Sequence, residues 1–144
     1  MISLVRGADA VVATWVGLEL GLMRGFGPCA AIGVARGEEL IGGVVFSNWT
    51  PEAGVMEMTA ASTDPRWMTR EVIRTVFEYA FRHHHCQLVV WRVSAENERT
   101  IALAERLGFT AYPIPRMRGR HEDEIVFTLT DDQWVSGRFA RSDA

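Results

Sequence analysis

Glu57 is the residue whose predicted surroundings best suit proton transfer. It lies in an alternating segment, Gly54 to Ser62, that predicts a β-strand, and Met56 and Met58 flank it. Partial burial beside two apolar side chains would make this carboxylate a better proton acceptor at neutral pH, as a general base requires. A half-exposed strand glutamate without a catalytic role fits the same pattern, so both interpretations stay open.

The run His83-His84-His85-Cys86 contains residue types that bind metals. Consecutive residues at a helix end point in different directions and rarely converge on one ion, so we expect no metal site. The other cysteine, Cys29, has neither metal-binding nor redox spacing to Cys86. We therefore expect two reduced thiols.

The composition of the chain predicts one domain with a hydrophobic core. Of its 144 residues, 48% are hydrophobic and 23% are charged, which is enough apolar material for a core without disulfides. The formal net charge of −3 does not favour a nucleic-acid partner. All 15 basic residues are arginine, a bias that we attribute to codon usage.

No segment of the chain predicts export or membrane insertion. The N-terminus lacks the basic region and apolar run of a signal peptide. The longest apolar stretch, Val11 to Met23, is interrupted by Thr14, Glu19 and several glycines, and it is too short to span a bilayer. We therefore expect a cytoplasmic protein without a membrane partner.

The succession of hydrophobic patterns and turn residues predicts an alternating α/β chain. Asp9 is a candidate cap for a first helix whose core face is predicted to contain Val11, Val12, Trp15, Val16 and Leu20. A long helix between two strands predicts a parallel crossover and hence a mixed sheet. The predicted strands are 3–6, 29–36, 40–48, 54–62, 88–93, 109–113 and 125–129, and the predicted helices are 9–19, 67–83, 97–107 and a short C-terminal helix capped by Thr130.

Two stretches of this chain resemble motifs of the GNAT acyltransferase superfamily. Asn97 to Phe109, N-E-R-T-I-A-L-A-E-R-L-G-F, is similar to the family's N-x-x-A-I-x-L-Y-E-R-L-G-F helix. Arg66 to Glu71, R-W-M-T-R-E, occupies the place of its R/Q-x-x-G-x-G/A pyrophosphate loop. The resemblance implies one GNAT-like α/β domain over residues 1–144, ordered β-α-βββ-α-β-α-ββ with a short C-terminal helix. The loop sequence is also similar to that of a bacterial and phage subgroup of the family.

The same resemblance implies a reaction and a set of site residues. An acyl group would pass directly from acetyl-CoA, the expected co-substrate, to a primary amine, with Glu57 as the base and without a metal. Asn97, which would lie beside the pantetheine arm, is equally a preferred helix cap. The implied cofactor-binding residues are Thr59, Ala60 and Ala61 at the thioester oxygen, Arg66, Trp67, Met68, Thr69, Arg70 and Glu71 at the pyrophosphate, and Asn97.

Three positions depart from the family pattern. Thr69 and Glu71 stand where small residues let the backbone approach phosphate, and Ala104 stands where many members have a tyrosine that protonates the departing thiolate. Tyr112, Ser94 or a water are candidates for that proton donor. Two hypotheses follow: an N-acyltransferase, or a catalytically degenerate GNAT-fold binding or interaction module.

The acceptor side of the site is predicted less specifically. Arg116 and Arg118 lie in a polar loop that borders the acceptor pocket in the family fold, so they are candidate substrate-binding residues. Three acidic residues follow the basic residues of this loop and largely offset their charge. The alternative is therefore a solvated loop without a binding role. We expect a small-molecule or peptide amine as acceptor. A homodimer is a further expectation, with Trp134 and Phe139 near the C-terminus as its surface.

Overall fold

Seven strands and four helices form along residues 1–140, the part of the chain that the computed structural model describes. This order of elements is the predicted one, with boundaries shifted by a few residues. The strands are β1 (Ile2–Val5), β2 (Cys29–Arg36), β3 (Glu39–Thr50), β4 (Val55–Ser62), β5 (Leu88–Ser94), β6 (Thr110–Ile114) and β7 (Glu124–Thr130). The helices are α1 (Asp9–Leu20), α2 (Arg70–Glu78), α3 (Glu98–Arg106) and α4 (Asp131–Ser136), and a π-helical turn, Tyr79–His83, extends α2.

One mixed sheet joins all seven strands in the order β1-β2-β3-β4-β5-β7-β6. Tight connections make β2, β3 and β4 an antiparallel meander, whereas β4 and β5 pair in parallel. A parallel pair needs a long crossover, which α2 and its π-helical turn supply. The predicted mixed sheet is therefore confirmed.

Hydrophobic clusters cover both faces of the sheet. The larger cluster packs α2, α3 and α4 against one face and includes the fully buried side chains of Phe77, Trp91 and Phe127. The smaller cluster packs α1 against the other face through Val12 and Val16. The sheet thus has a helix-covered layer on each side.

The predicted orientation of α1 is wrong in part. Val11 is 64% exposed and Leu20 is also exposed, whereas Val12 and Val16 are fully buried. Apolar residues surround this helix, so periodicity alone could not select its buried face. Asp9 is not the cap either: it lies in the first turn, and its Oδ1 accepts a 3.0 Å hydrogen bond from the Ala31 N–H of β2.

The three helices α2, α3 and α4, which cover the face with the larger hydrophobic cluster, begin at side-chain caps. Thr69 Oγ1 accepts from the Val72 N–H at the start of α2, which begins three residues later than predicted. Asn97 Oδ1 accepts from the Thr100 N–H at the start of α3, as the capping interpretation predicts. Thr130 and Gln133 form the predicted capping box of α4.

Trp134 and Phe139 do not form an outer surface. They are only 5% and 8% exposed because both belong to the chain's own core, so the predicted dimer surface at these residues is wrong. Both cysteines are free thiols, and burial raises the pKa of the Cys86 thiol. Within residues 1–140, no helix has the length and apolar content to cross a bilayer, and no group of three metal-ligating side chains converges.

Candidate active site

A gap opens between β4 and β5 halfway along the two strands. Their parallel pairing ends at Met58 opposite Trp91. Beyond that point β4 stays paired only with β3, as far as Ser62, and β5 stays paired only with β7, as far as Ser94. Alternate backbone N–H and C=O groups of β4 therefore face the gap instead of a neighbouring strand.

Two joined cavities occupy this gap. The smaller one, of about 390 Å³, extends toward the start of α2 and along α3, and the larger one, of about 700 Å³, extends toward β5, β7 and the loop before β7. The short side chains at the end of β4 leave the backbone accessible from both. Six residues line both cavities: Glu19, Leu20, Ala60, Trp91, Asn97 and Thr100.

Glu57 lines the larger cavity together with Asn48. A bulge interrupts the pairing of β3 with β4 between Ser47 and Thr50, and Asn48 takes a φ of 51° there. Asparagine adopts this left-handed backbone more readily than most residues. Its side-chain amide donates a 2.7 Å hydrogen bond to Glu57 Oε2. The bulge thus places a donor that fixes the orientation of the candidate base.

Glu124 is the one charged side chain that is buried among residues 1–140, at 1% exposure. Its carboxylate forms ion pairs with Arg92 Nε at 2.9 Å and with Arg118 Nε at 3.2 Å. The hydrogen bond to Glu124 also raises the pKa of Arg92 above its ordinary value. This three-residue cluster joins β5, β7 and the loop before β7 into one wall of the larger cavity.

Carboxylates outnumber cations around the larger cavity. Ser94 Oγ donates a 2.7 Å hydrogen bond to Glu122 Oε2, which adds a further acidic group to the same wall. The lining contains four glutamates, 19, 57, 122 and 124, and two arginines, 92 and 118, a formal excess of two negative charges. Such a cavity favours a positively charged ligand.

The two predicted substrate-binding arginines and the candidate proton donor Tyr112 lie apart from one another. Arg118 lines the larger cavity, but Arg116 is exposed on the loop, where its backbone N–H donates to Asp123 Oδ1 at 2.9 Å. Tyr112 is 53% exposed on β6, at the edge of the sheet, and it belongs to the lining of neither cavity. Of these three, the structure brings only Arg118 to the gap.

The predicted cofactor-binding residues of β4 lie at the gap itself. Thr59 lines the larger cavity, Ala61 lines the smaller one, and Ala60 lines both. Their backbone therefore lies where a carbonyl bound in the gap would need N–H donors.

The loop before α2 presents a more closed surface. Trp67 and Met68 line the smaller cavity but are only 4% and 6% exposed, because Trp67 packs against Gly42 of β3. Arg66, Arg70 and Glu71 are exposed and lie outside the lining of the two joined cavities.

Asp64 holds this loop at its beginning. Its carboxylate accepts the Arg66 N–H at 2.9 Å and forms a 2.9 Å ion pair with Arg36 at the end of β2. The bond from the Arg66 N–H, followed by the bond from Arg36, lowers the pKa of Asp64. The loop is therefore tied to the sheet next to the smaller cavity.

Helix α3 contributes a polar stripe to both cavities. Asn97 caps the helix and also lines both cavities, so its two predicted roles are compatible in this geometry. Arg99 and Arg106 line the smaller cavity. Ala104 is fully buried, one turn after Thr100, so this chain has no side-chain proton donor at the position where the family often has a tyrosine.

These features fit an acyl-CoA. A thioester carbonyl needs N–H donors, which the open end of β4 offers. The nucleotide phosphates of an acyl-CoA need cations. Helix α3 offers two beside the smaller cavity, Arg99 and Arg106. Because the two cavities join at Ala60, a ligand that enters from the α2 side meets the contents of the larger cavity at the gap.

Several residues of the site were not predicted. Asn48 depends on a bulge that no local pattern in β3 indicates. Arg92 interrupts the apolar run Leu88 to Val93, and a lone cation in such a run was a usable signal. Glu124 stands directly after two acidic residues, so its burial depends on tertiary contacts alone.

Comparison with known proteins gives one family match. The model of the acetyltransferase (GNAT) domain matches residues 7–110. Among proteins with curated descriptions, none matches this chain.

Solved structures share the fold at low sequence identity. A spermidine N-acetyltransferase from Vibrio cholerae, in a dodecameric structure, superposes with a TM-score of 0.73 at 14% identity, covering 94% of this chain and 96% of that one. A ribosomal-protein-S5-alanine acetyltransferase from Vibrio fischeri gives 0.69 at 15% identity, covering 92% and 93%. In another match, assigned only as an acetyltransferase, this chain spans 62% of the other chain's length, with a TM-score of 0.65 at 20% identity and 75% of this chain covered.

Proposed function

The chain belongs to the GNAT acetyltransferase family, and we propose that it transfers the acyl group of an acyl-CoA directly to a positively charged primary amine. Family membership assigns it to the N-acetyltransferases, so acetyl-CoA is the first co-substrate to test. The observation that carries the proposal is the bond from Asn48 to Glu57 at the larger cavity, where that cavity joins the gap in the sheet.

Glu57 acts as the base on the acceptor side. A protonated amine has no lone pair for attack, so it must first lose a proton to a carboxylate or to a water that the carboxylate orients. The amide of Asn48 holds one carboxylate oxygen at 2.7 Å and thereby fixes the direction in which the carboxylate accepts that proton. The apolar neighbours Met56 and Met58 are buried on the opposite face of β4.

The backbone of β4 acts on the acyl side. The co-substrate supplies an activated acyl carbon as a thioester. As the amine nitrogen bonds to that carbon, negative charge develops on the carbonyl oxygen, and N–H groups of Thr59 to Ala61 that face the gap donate to it. The C–S bond then breaks, and the electron pair leaves with sulfur as a thiolate, which is stable enough to depart without a dedicated acid. The nitrogen loses its second proton as the amide forms, and the thiolate takes up a proton, directly or through water, to give the CoA thiol.

The charge of the larger cavity selects the acceptor. Its formal excess of two negative charges attracts a cation and raises the local concentration of protonated amines. Glu124 is already engaged by Arg92 and Arg118, so Glu19, Glu57 and Glu122 are the carboxylates that remain for the acceptor. A linear polyamine or a cationic peptide terminus satisfies this arrangement better than an amine that carries a carboxylate.

The alternative, a binding module without catalysis, rests on Thr69, Glu71 and Ala104. Glu71 lines neither of the two joined cavities and Ala104 is a small buried side chain, so neither residue obstructs the gap. An oriented carboxylate that lines the cavity beside the gap is an arrangement that a pure binding module has no need to keep. These placements favour the enzyme.

The proposal is tested by the release of CoA thiol from acetyl-CoA in the presence of an amine panel. The panel contains spermidine, the amine named for one structural relative, a monoamine of similar length, and 5-aminopentanoate, a primary amine whose carboxylate leaves no net charge. We expect the highest kcat/KM with spermidine, a lower value with the monoamine and the lowest with 5-aminopentanoate. Activity with the zwitterion alone would contradict the charge argument.

The matched control is Glu78→Gln, which removes one carboxylate from the exposed surface of α2. This variant should retain wild-type turnover, whereas Glu57→Gln should lose it. If no amine of the panel, and no cationic peptide, releases thiol above the rate of Glu57→Gln, the enzyme hypothesis is wrong and the binding module replaces it.

A further inference from the structure

The outer side of α1 and the segment directly after it carry most of the large apolar side chains that residues 1–140 expose. Val11, Leu18 and Met23 are 64%, 76% and 100% exposed, and Leu20 and Leu22 are exposed as well. A contiguous exposed patch of apolar side chains marks an interaction surface more often than scattered ones do. This part of the molecule is therefore a candidate contact site.

A groove of about 550 Å³ lies beside these side chains. Helix α1 ends at Gly21, whose φ of 67° turns the chain, and the Leu22 N–H donates to the Gly17 carbonyl at 2.9 Å. Residues 22–27 then return along the helix, and Phe26 packs them against the smaller hydrophobic cluster. We call the outer side of α1 together with residues 22–27 the α1 face. On the helix side the groove is lined by small residues, which include Ala10, Ala13, Thr14 and Gly17.

The α1 face combines protruding and recessed apolar surface. Val11, Thr14 and Leu18 follow one another at helical spacing, so they form one exposed stripe. Thr14 lies near the middle of α1, so a second, antiparallel copy of the helix would place each Val11 opposite Leu18 of the other copy. Leu18 and Met23 would then meet a groove lined by small residues. A surface that fits itself in this way is what a two-fold interface requires.

The charges of the groove favour the same antiparallel arrangement. Asp9, the first residue of α1, and Arg24, two residues after Leu22, both line it. Eight residues of helix separate Asp9 from Gly17, to which Leu22 is bonded, a rise of roughly 12 Å. Within the described part of the chain, neither Asp9 nor Arg24 forms an ion pair. A two-fold axis through the middle of α1 brings Arg24 of each copy toward Asp9 of the other.

The extent of the α1 face sets the expected strength of the contact. Helix α1 is about 18 Å long and about 10 Å wide, and the returning segment roughly doubles that width, so each copy would bury roughly 400–600 Å². A total of about 1,000 Å² belongs to the low end of specific interfaces. We therefore expect association that is reversible and weak, with a Kd in the micromolar range.

We propose that two copies of this chain associate through the α1 face about a two-fold axis, with their α1 helices antiparallel. The contact covers Val11, Leu18 and Met23 and pairs Asp9 with Arg24 twice. It also covers the outside of the acceptor-side wall, because Leu22, Gly25 and Phe26 line both the groove and the larger cavity. The association itself does not depend on the acyl-transfer reaction.

Sedimentation velocity of the full chain, from low micromolar to several hundred micromolar protein, tests the proposal. The wild-type sedimentation coefficient should rise with concentration from that of a monomer to that of a dimer. Leu18→Asp places a carboxylate in the contact and should raise the Kd of the dimer at least about tenfold. The matched control is Val135→Asp, because Val135 is 71% exposed on α4, and it should dimerise as wild type does.

A charge reversal tests the pairing of Asp9 with Arg24. Arg24→Glu would face Asp9 of the second copy with a like charge, and the Kd should rise roughly tenfold. Adding Asp9→Asn removes that repulsion and keeps an oxygen that can accept the Ala31 N–H, so the double variant should recover most of the lost affinity. Nonspecific apolar association would show no such recovery. Arg82→Glu reverses a charge on an exposed side chain elsewhere and should leave the Kd unchanged.

Cross-linking tests the position of the axis. In a Cys29→Ser background, Thr14→Cys should form a disulfide-linked dimer with glutathione disulfide, because helices in contact lie about 8–10 Å apart. Arg82→Cys in the same background should form none. A dimer that Thr14→Cys fails to cross-link would overturn the antiparallel arrangement.

Wild-type protein that stays monomeric over the whole concentration range would overturn the proposal, as would a Leu18→Asp variant with the Kd of wild type. If such a monomer sediments with vesicles of phosphatidylcholine and phosphatidylglycerol, and Leu18→Asp does not, a lipid surface covers the α1 face instead. Thiol release is a separate measurement. A dimer that passes these tests but transfers no acyl group leaves the interface in place and shows the proposed function to be wrong.

Discussion

At the scale of single residues, Glu57 and Asn48 form a pair whose function can be separated from its structural role. Glu57→Gln keeps the size of the side chain and a hydrogen-bonding oxygen but removes the proton acceptor. We expect kcat to fall about 10²- to 10⁴-fold, the usual contribution of a general base. The Kd of acetyl-CoA should change less than twofold, because Glu57 lines the larger cavity and not the smaller one.

Steady-state kinetics and calorimetry on the same preparation check this expectation. Asn48→Ala is the informative companion, because it removes the donor at 2.7 Å and leaves the carboxylate in place. A Glu57→Gln variant with wild-type kcat would exclude Glu57 as the base.

Glu124 poses a different question at the same scale, because it is 1% exposed and paired with two arginines. Glu124→Gln leaves those cations facing a neutral amide in a buried position. We expect the free energy of unfolding to fall by about 1–3 kcal/mol, the cost of an imperfectly satisfied buried group. The KM of the acceptor should also rise, since Arg118 loses the ion pair that holds the loop against β7.

Urea denaturation measures the first effect, and Glu78→Gln is its control. Glu78 pairs with Arg82 at 3.9 Å and both side chains are exposed, so that variant should lose less than about 0.5 kcal/mol. Equal losses of unfolding free energy in the two variants would mean that the burial of Glu124 does not increase its contribution to stability.

At the scale of elements, the start of α3 combines a cap with a ligand-facing position. Asn97→Ala removes the side-chain acceptor for the Thr100 N–H, and it should cost about 1 kcal/mol of stability. Asn97→Ser restores a capping oxygen but is too short to reach far into the gap. We expect serine to recover the stability of wild type while the Kd of acetyl-CoA stays several-fold raised.

Thermal denaturation and calorimetry of both variants decide between the two roles. If Asn97→Ser recovers stability and affinity together, Asn97 is a cap and nothing more.

The contact between β3 and the loop before α2 depends on a missing side chain. A Cβ added at Gly42 would lie 2.3 Å from Cε3 of Trp67, too close for any real contact. Gly42→Ala should therefore push Trp67 out of its place and destabilise the protein by about 1–3 kcal/mol, as overpacking does. Because Trp67 lines the smaller cavity, the Kd of acetyl-CoA should rise as well.

The control for this contact is Gly25→Ala, where an added Cβ meets nothing within 4 Å. Its melting temperature should match that of wild type. Should Gly42→Ala melt at the same temperature as Gly25→Ala, the packing of Trp67 on β3 would not support the loop.

Elements with strong local signals could be predicted from the sequence. The capping box at Thr130 and the cap at Asn97 are local side-chain to backbone bonds, and both are present. The buried face of α1 could not be predicted, because apolar residues surround that helix and only its contact with β2 and β3 selects Val12 over Val11. The start of α2 was also missed, since Trp67 fits a helical pattern but is held in the loop by packing on Gly42.

The same distinction between local signals and tertiary contacts applies to the residues of the candidate site. Glu57 and the small residues after it are readable from strand alternation. Arg92 pairs with Glu124, which is 32 residues away in the sequence, and the contact of Asn48 with Glu57 depends on a bulge, so local patterns do not predict either pairing. Three arginines, Arg70, Arg106 and Arg138, lie around the ring of Phe139, and this arrangement forms only when α2, α3 and the segment after α4 meet.

At the scale of the whole molecule, the absence of lysine affects how the protein meets an acyl-CoA. Apart from histidine, every basic side chain that could bind the phosphates is an arginine. Arginine keeps its charge throughout the working pH range. No lysine amine competes with the acceptor for the acyl group. Phosphate binding should therefore vary little with pH, so a pH dependence of turnover would report on the acceptor side.

One sheet with hydrophobic clusters on both faces should unfold cooperatively, and a ligand that bridges β4, the loop before α2 and α3 should stabilise the whole domain. Acetyl-CoA at a hundred times its Kd adds about 2.7 kcal/mol of stability by mass action. For a chain of this size that corresponds to a rise in Tm of roughly 5–10 °C. Differential scanning calorimetry measures it, with S-acetylpantetheine as the partial ligand and a smaller rise. A Tm that acetyl-CoA leaves unchanged at millimolar concentration would mean that the gap between β4 and β5 does not hold the co-substrate.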